Sequence, residues 1–330
     1  MKHSAATDPR ILREEFSIPS DTPNIHLHIR NTRPTVIPGR SDRTIVMVHG
    51  ATYSSGSLYD VPLGGMSFMD FLAGEGFDVF AVDVRGYGRS TRPPEMEFDG
   101  KLNPPVVDSS TGVRDFSSAI DFVLGLRGLD RVNLFGMSWG GTIAGSYASR
   151  EHTATLKLAL VAPQWLSDEP VPLDPGGQLD AYRLVPVADA RSRWLDASPV
   201  AARAELIPHG WFEQWAAATV AEDPWSKDRT PGRLRATNGP IQDVRSYWTA
   251  GKAFYRPSDI VAPVLLVHGE WDRDVPLDLA LAYFKQLRQA RHRRWLEIGE
   301  ATHMLLLEKN RLAAFRAISD FFSETYAPET

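Results

Sequence analysis

Short apolar runs separated by polar, glycine-containing turns recur along the chain and alternate with stretches whose apolar residues fall at helical spacing. Residues 44–48, 77–82, 131–135, 156–161, 264–267 and 294–298 are short apolar runs of strand length. Residues 25–29 alternate Ile, Leu and Ile with histidine and predict an edge strand with one wet face. Helical periodicity marks 67–73, 113–126, a segment from 139 to about 150, and 310–322. Strands alternating with helices predict an α/β fold, a mostly parallel sheet covered on both faces. Ligands of such sheets sit outside the carboxyl ends of the strands. His49, Ser138 and Asp272 each follow a predicted strand end.

The alternation stops at residue 165 and resumes at 257. The stretch 165–256 holds helical pieces, scattered prolines and Trp165, Trp194, Trp211, Trp215, Trp225 and Trp248. Structureless connections beyond about 15 residues are uncommon. The stretch is therefore read as a mainly helical cap, inserted into a core made of 1–164 and 257–330. A small helical unit needs bulky residues to make any core, which accounts for most of these tryptophans. One or two are expected to face a substrate, with Trp211 and Trp215 as candidates.

The most informative segment is Val132-Asn133-Leu134-Phe135-Gly136-Met137-Ser138-Trp139-Gly140-Gly141, an apolar run ending in Gly-x-Ser-x-Gly. A serine hydroxyl is a poor nucleophile unless the backbone holds it exposed beside a base. A tight strand–turn–helix does so, with the serine strained at the apex. Gly136 and Gly140 flank that apex, where side chains would collide with a neighbouring strand or helix. Gly141, Ala144, Gly145 and Ala148 give the helix a thin face. By composition alone the motif should arise on the order of 0.1 times in this length. Gly65-Met66-Ser67 repeats its first half but continues Phe68-Met69, without the second glycine.

A nucleophilic serine needs a base, and the base an orienting acid. His303 is the best-placed histidine, in a loop after the last strand and before the last helix. His49 and His268 precede glycines at strand ends, where histidine commonly fixes a loop; His26, His28 and His152 read as surface, and His209 as a weak binding candidate. The acid is expected from Glu270-Trp271-Asp272-Arg273-Asp274-Val275-Pro276, with Asp272 preferred and Asp274 as fallback. Asp168 and Glu169, after the preceding strand, could fill the same space. The order Ser138, Asp272, His303 is that of a nucleophile-elbow hydrolase. An oxyanion hole needs two backbone N–H groups. Trp139 is expected to supply one and Ala51, in His49-Gly50-Ala51-Thr52, the other, with Thr52 or Tyr53 adding a hydroxyl.

Composition narrows the picture. Net charge is −5 without a dense Lys/Arg tract, which argues against nucleic acid. There are no cysteines, so disulfides, thiolate nucleophiles and cysteine metal sites are excluded. Residues 1–13 are polar and lack the apolar core of a signal peptide, and no stretch approaches 18 apolar residues. The expectation is a soluble cytoplasmic protein without membrane contact.

Taken together, Val48-His49-Gly50, Asp83-Val84-Arg85-Gly86-Tyr87-Gly88-Arg89-Ser90, the Gly136–Gly141 elbow, His268-Gly269-Glu270-Trp271-Asp272 and His303 resemble the α/β-hydrolase superfamily with a cap, over about residues 25 to 322. The resemblance implies an eight-stranded sheet, a Ser–His–Asp triad, and neither cofactor nor metal. Epoxide hydrolases and haloalkane dehalogenases place an aspartate where Ser138 stands, which disfavours their chemistry. Proline iminopeptidases share Gly-x-Ser-Trp-Gly-Gly, so amide substrates stay open. The leading expectation is hydrolysis of a small to medium apolar or aromatic carboxylic ester through an acyl-serine. The alternatives are carbon–carbon cleavage of a diketone, amide or lactone hydrolysis, and a ligand receptor of low turnover. Cap arginines (Arg183, Arg191, Arg193, Arg233, Arg235, Arg245) could bind a substrate carboxylate, though solvated surface is the better reading for most. The oligomeric state is open, a homodimer included.

Overall fold

The apolar runs become the strands of the structure, a computed structural model that describes residues 10–37, 39–223, 225 and 229–326. In chain order these are β1 (Ile11–Pro19), β2 (His26–Pro34), β3 (Thr44–Val48), β4 (Asp78–Val82), β5 (Val132–Met137), β6 (Thr155–Val161), β7 (Tyr182–Pro186), β8 (Arg233–Thr237), β9 (Val264–Gly269) and β10 (Arg293–Ile298). Eight form one sheet in the order β1-β2-β4-β3-β5-β6-β9-β10. The strands from β4 to β10 run parallel, and β1 and β2 are antiparallel to their neighbours. β3, β4, β5 and β9 are buried along their whole length, as strands covered on both faces must be.

One expectation is corrected at the sheet edge. Residues 26–29 belong to an inner strand, β2, and the edge is β1, whose Ile-Leu-Arg-Glu-Glu-Phe run has weak alternation. His28 is accordingly buried, with Nδ1 3.2 Å from Asp83 Oδ2, rather than on the surface.

The helices are α1 (Ser55–Tyr59), α2 (Phe68–Gly74), α3 (Ser109–Arg127), α4 (Trp139–Ala148), α5 (Ala190–Ala197), α6 (Arg203–Leu206), α7 (Trp211–Ala221), α8 (Gly239–Asp243), α9 (Leu277–Gln286) and α10 (Arg311–Ser323). Local chemistry sets their ends. Ser67 and Asp70 make a reciprocal capping box on α2. Asp108 accepts from Thr111 N at the start of α3, which Gly128 ends in the left-handed region (φ 63°). At the end of α10 the Lys157 ammonium, reaching from β6, donates to the carbonyls of Phe321, Phe322 and Glu324, where a cation opposes the helix dipole.

Between β6 and β9 the chain leaves the sheet to form α5 to α8 and a two-stranded antiparallel ribbon, β7 with β8. The ribbon was not expected. Its β8 carries Leu234 and Ala236 on one face, but Arg235 on the other is also buried, bonded to Asp223, and this hides the alternation. The tryptophans seat this excursion. Trp165 meets Trp248 at a tilt and Tyr283 edge-on (5.8 and 5.4 Å between ring centroids), and Trp215 packs on Tyr53 (4.9 Å) and Trp194 (4.8 Å) while donating to the Ser57 carbonyl. The excursion and the sheet share one hydrophobic core. Among the described residues no helix is long and apolar enough to cross a membrane.

Candidate active site

Ser138 sits between the last residue of β5 and the first of α4 with φ 57° and ψ −121°, a conformation costly for any residue but glycine. Its neighbours make the turn feasible. A Cβ on Gly136 would overlap the carbonyl of Gly140, and one on Gly140 would overlap the carbonyls of Val48 and His49. The thin face of α4 has the same cause, since a Cβ on Gly145 would strike the Tyr255 hydroxyl. The turn is pinned by Ser138 N donating to the Val161 carbonyl at 2.8 Å. Strand pairing then brings β3, and with it the 49–53 turn, beside the serine; Gly50 lies against its Cβ.

His303 and Asp272 meet across 31 residues of chain, with Nδ1 2.8 Å from Oδ2. The other oxygen of Asp272 accepts from the backbone N–H groups of Asp274 and Val275, both at 2.9 Å, which fixes the carboxylate. A second carboxylate stands on the far side of the ring, Asp274 Oδ2 being 3.9 Å from His303 Nε2. Asp274 is itself held by Arg193 of α5 at 2.6 and 2.7 Å. Burial alone would lower the histidine's pKa, but Asp272 and Asp274 outweigh it and hold it up at about 9. Thr302, just before His303, is anchored by buried Glu308, which accepts from both its backbone N–H and its hydroxyl. Burial pushes that carboxyl up to about 7.

Ser138 and His303 line one cavity of about 360 Å³, together with Ala51, Thr52 and Tyr53. Its far wall comes from the excursion: Pro172, Leu173 and the α5 residues Ser192, Arg193, Trp194, Asp196 and Ala197. Trp139 is the first residue of α4, where a backbone N–H has no acceptor within the helix. Its indole is not part of the cavity lining and donates to Ser109 Oγ at 2.9 Å.

The remaining candidates fall elsewhere. His49 is buried, with Nδ1 2.8 Å from the Gly50 carbonyl and Nε2 accepting from Val84 N, so both nitrogens serve the loop. His268 Nε2 donates to the Val275 carbonyl at 2.8 Å. Asp168, Glu169 and His209 are exposed. Trp211 and Trp215 do not line the cavity; Trp211 lies under the Arg311 guanidinium at 4.3 Å and Trp215 stands behind Tyr53. Trp194 lines it instead. Arg191, paired with Glu213, and Arg233 are exposed as expected, whereas Arg193 pairs with Asp274, Arg235 with Asp223 and Arg245 with Asp174 in partly or fully buried settings. Arg193 and Glu308 had no local signal, because their partners are brought to them by folding alone.

A sequence model of the family described as alpha/beta hydrolase fold matches residues 43–310. The chain is also similar to several solved structures. With the 2-hydroxy-6-oxo-6-phenylhexa-2,4-dienoate hydrolase of Rhodococcus sp. strain RHA1 it shares 18% identity at a TM-score of 0.64, covering 94% of this chain and 99% of that one. With the meta-cleavage product hydrolase of Pseudomonas fluorescens IP01 the values are 14%, 0.62, 93% and 97%. With a thermophilic esterase from Thermogutta terrifontis they are 17%, 0.53, 93% and 97%. At these identities the likeness is one of fold.

Proposed function

Because the chain belongs to the alpha/beta hydrolase family, we propose that it is a serine hydrolase acting on small to medium, largely apolar carboxylic esters, with Ser138, His303 and Asp272 as its triad. The observation that carries this reading is the 2.8 Å contact of His303 with Asp272 beside the same cavity that receives the strained Ser138. Ser138 Oγ attacks the ester carbonyl carbon while His303 Nε2 takes its proton. Asp272 steadies the imidazolium through Nδ1–H. The N–H groups of Ala51 and Trp139 hold the oxyanion. His303 returns the proton to the departing alkoxide, leaving acyl-Ser138 and a free alcohol. Water then gives a proton to His303 and its oxygen to the acyl carbon; collapse releases the acid and restores the Ser138 hydroxyl. Residues 165–256 act as the lid, because the cavity's outer wall belongs to them. The mostly apolar lining, with Arg193 neutralised by Asp274, favours an uncharged acyl group.

A p-nitrophenyl ester panel run beside a vinylogous diketone and an anilide tests the reading. Brisk ester turnover that falls by at least about three orders of magnitude in Ser138→Ala, with substrate affinity kept, is expected. Turnover of the diketone alone would replace the ester reading by carbon–carbon cleavage. Unchanged turnover in folded Ser138→Ala would remove the serine from the chemistry.

A further inference from the structure

The guanidinium of Arg183, on β7, bonds four oxygens, and none belongs to a carboxylate. Nη1 donates to the Thr237 carbonyl at 2.8 Å and to Asn238 Oδ1 at 3.3 Å. Nη2 donates to the Ala51 carbonyl at 3.1 Å and to Thr52 Oγ1 at 2.9 Å. Several other enclosed arginines face acids: Arg30 meets Glu222, Arg85 meets Asp115 and Arg235 meets Asp223. A cation partly withdrawn from water without a counter-charge costs free energy in the resting protein. A negative charge that forms only during the reaction would recover it.

The place of this charge is specific. The Ala51 carbonyl also accepts from the Tyr87 hydroxyl at 2.9 Å, and that hydroxyl is 2.8 Å from Thr237 Oγ1. Ala51, whose N–H is assigned to the oxyanion, is thus tied by two donors to the base of the β7–β8 ribbon.

We propose that Arg183 is the positioning residue of the oxyanion loop: reaching from the lid, it fixes Ala51 and Thr52 and sets an unneutralised positive charge beside them. The inference rests on the reading of Ser138 as nucleophile. It couples the two parts of the molecule, since the loop is fully set only while the ribbon is seated. Arg183 touches no substrate, so its removal acts on the barrier and not on binding.

The test compares wild type, Arg183→Met and Arg183→Lys by ester kinetics, thermal melting and the rate of labelling with a fluorophosphonate, whose reaction passes through an equivalent oxyanion. Arg183→Met should lose roughly 10–100-fold in kcat and in labelling rate, less than the 10²–10³ of losing an oxyanion donor outright. KM should stay within about threefold. Arg183→Lys, which keeps the charge but cannot span four acceptors, should recover part of both rates. If Arg183→Met fails to fold, Arg183→Lys and Arg183→Ala with millimolar guanidinium carry the test, and the added cation should speed labelling. A lower melting temperature with wild-type kcat and labelling rate overturns the role of Arg183 alone. A wild-type protein that takes no label overturns the nucleophile and this inference together.

Discussion

At the residue scale the proposed chemistry turns on one imidazole between two carboxylates. In the proposed triad Asp272 is the orienting partner, through a short contact to Nδ1, whereas Asp274 faces Nε2, the nitrogen that would accept the serine proton. Both favour the protonated ring, which holds its proton up to about pH 9. Only the neutral ring can act as base, so kcat/KM is expected to climb from neutral towards alkaline pH. Asp274→Asn removes one of the charges that favour imidazolium, and the acidic limb of the kcat/KM profile should move to lower pH. An unmoved limb would mean that Arg193 already cancels Asp274. The same shift has a stability sign. The folded ring keeps its proton to about pH 9 and the unfolded ring to 6.5, so the stabilisation is complete below 6.5 and lost as pH rises towards 9. The melting difference between wild type and Asp272→Asn should therefore narrow across that window.

At the element scale, α5 and α7 do different work although both carry tryptophans. Trp194 of α5 lines the cavity, while Trp215 of α7 is buried with its indole N–H bonded to the Ser57 carbonyl. Trp215→Ala should cost about 3–5 kcal/mol of stability, as expected for a large aromatic removed from a core, and leave the preference for acyl-chain length unchanged. Trp194→Ala enlarges the cavity, so its optimum should shift to longer chains. Melting curves and the ester panel read the two effects separately, and a changed profile in Trp215→Ala would put that ring in the substrate's path.

At the scale of the whole molecule, the candidate site is a seam. The sheet supplies Ser138, Asp272 and His303, the excursion supplies the opposite wall, and one shared core and the Arg193–Asp274 and Arg30–Glu222 pairs hold them together. A cavity of about 360 Å³ lies towards the small end of ligand pockets, which run from roughly 300 to 1,000 Å³. Each methylene buried is worth about 0.8 kcal/mol, so kcat/KM should rise about fourfold per carbon until the cavity is full, and then fall. A flat profile would mean that the acyl chain stays outside.

The sequence by itself determined the inner strands of the sheet, the elbow turn and the candidates Ser138, Asp272 and His303, because each is written in short-range terms. Apolar runs of strand length, a serine between glycines that tolerate no Cβ, and a histidine in the last strand–helix loop are local patterns that the rest of the fold does not override. The edge strand β1 and the ribbon β7–β8 escaped because their alternation is interrupted by charged residues, whose burial depends on partners far away in sequence. The tryptophans illustrate the same limit. Composition says that they make a core, but only packing decides that Trp194 faces the cavity while Trp211 lies under Arg311 and Trp215 behind Tyr53. Arg183, Arg193 and Glu308 were illegible for a like reason: nothing near them in sequence distinguishes them from surface charges. Tertiary structure alone brought Arg183 to Ala51, Arg193 to Asp274 and Glu308 to Thr302, since the environment of a charge is set by whatever folding places around it.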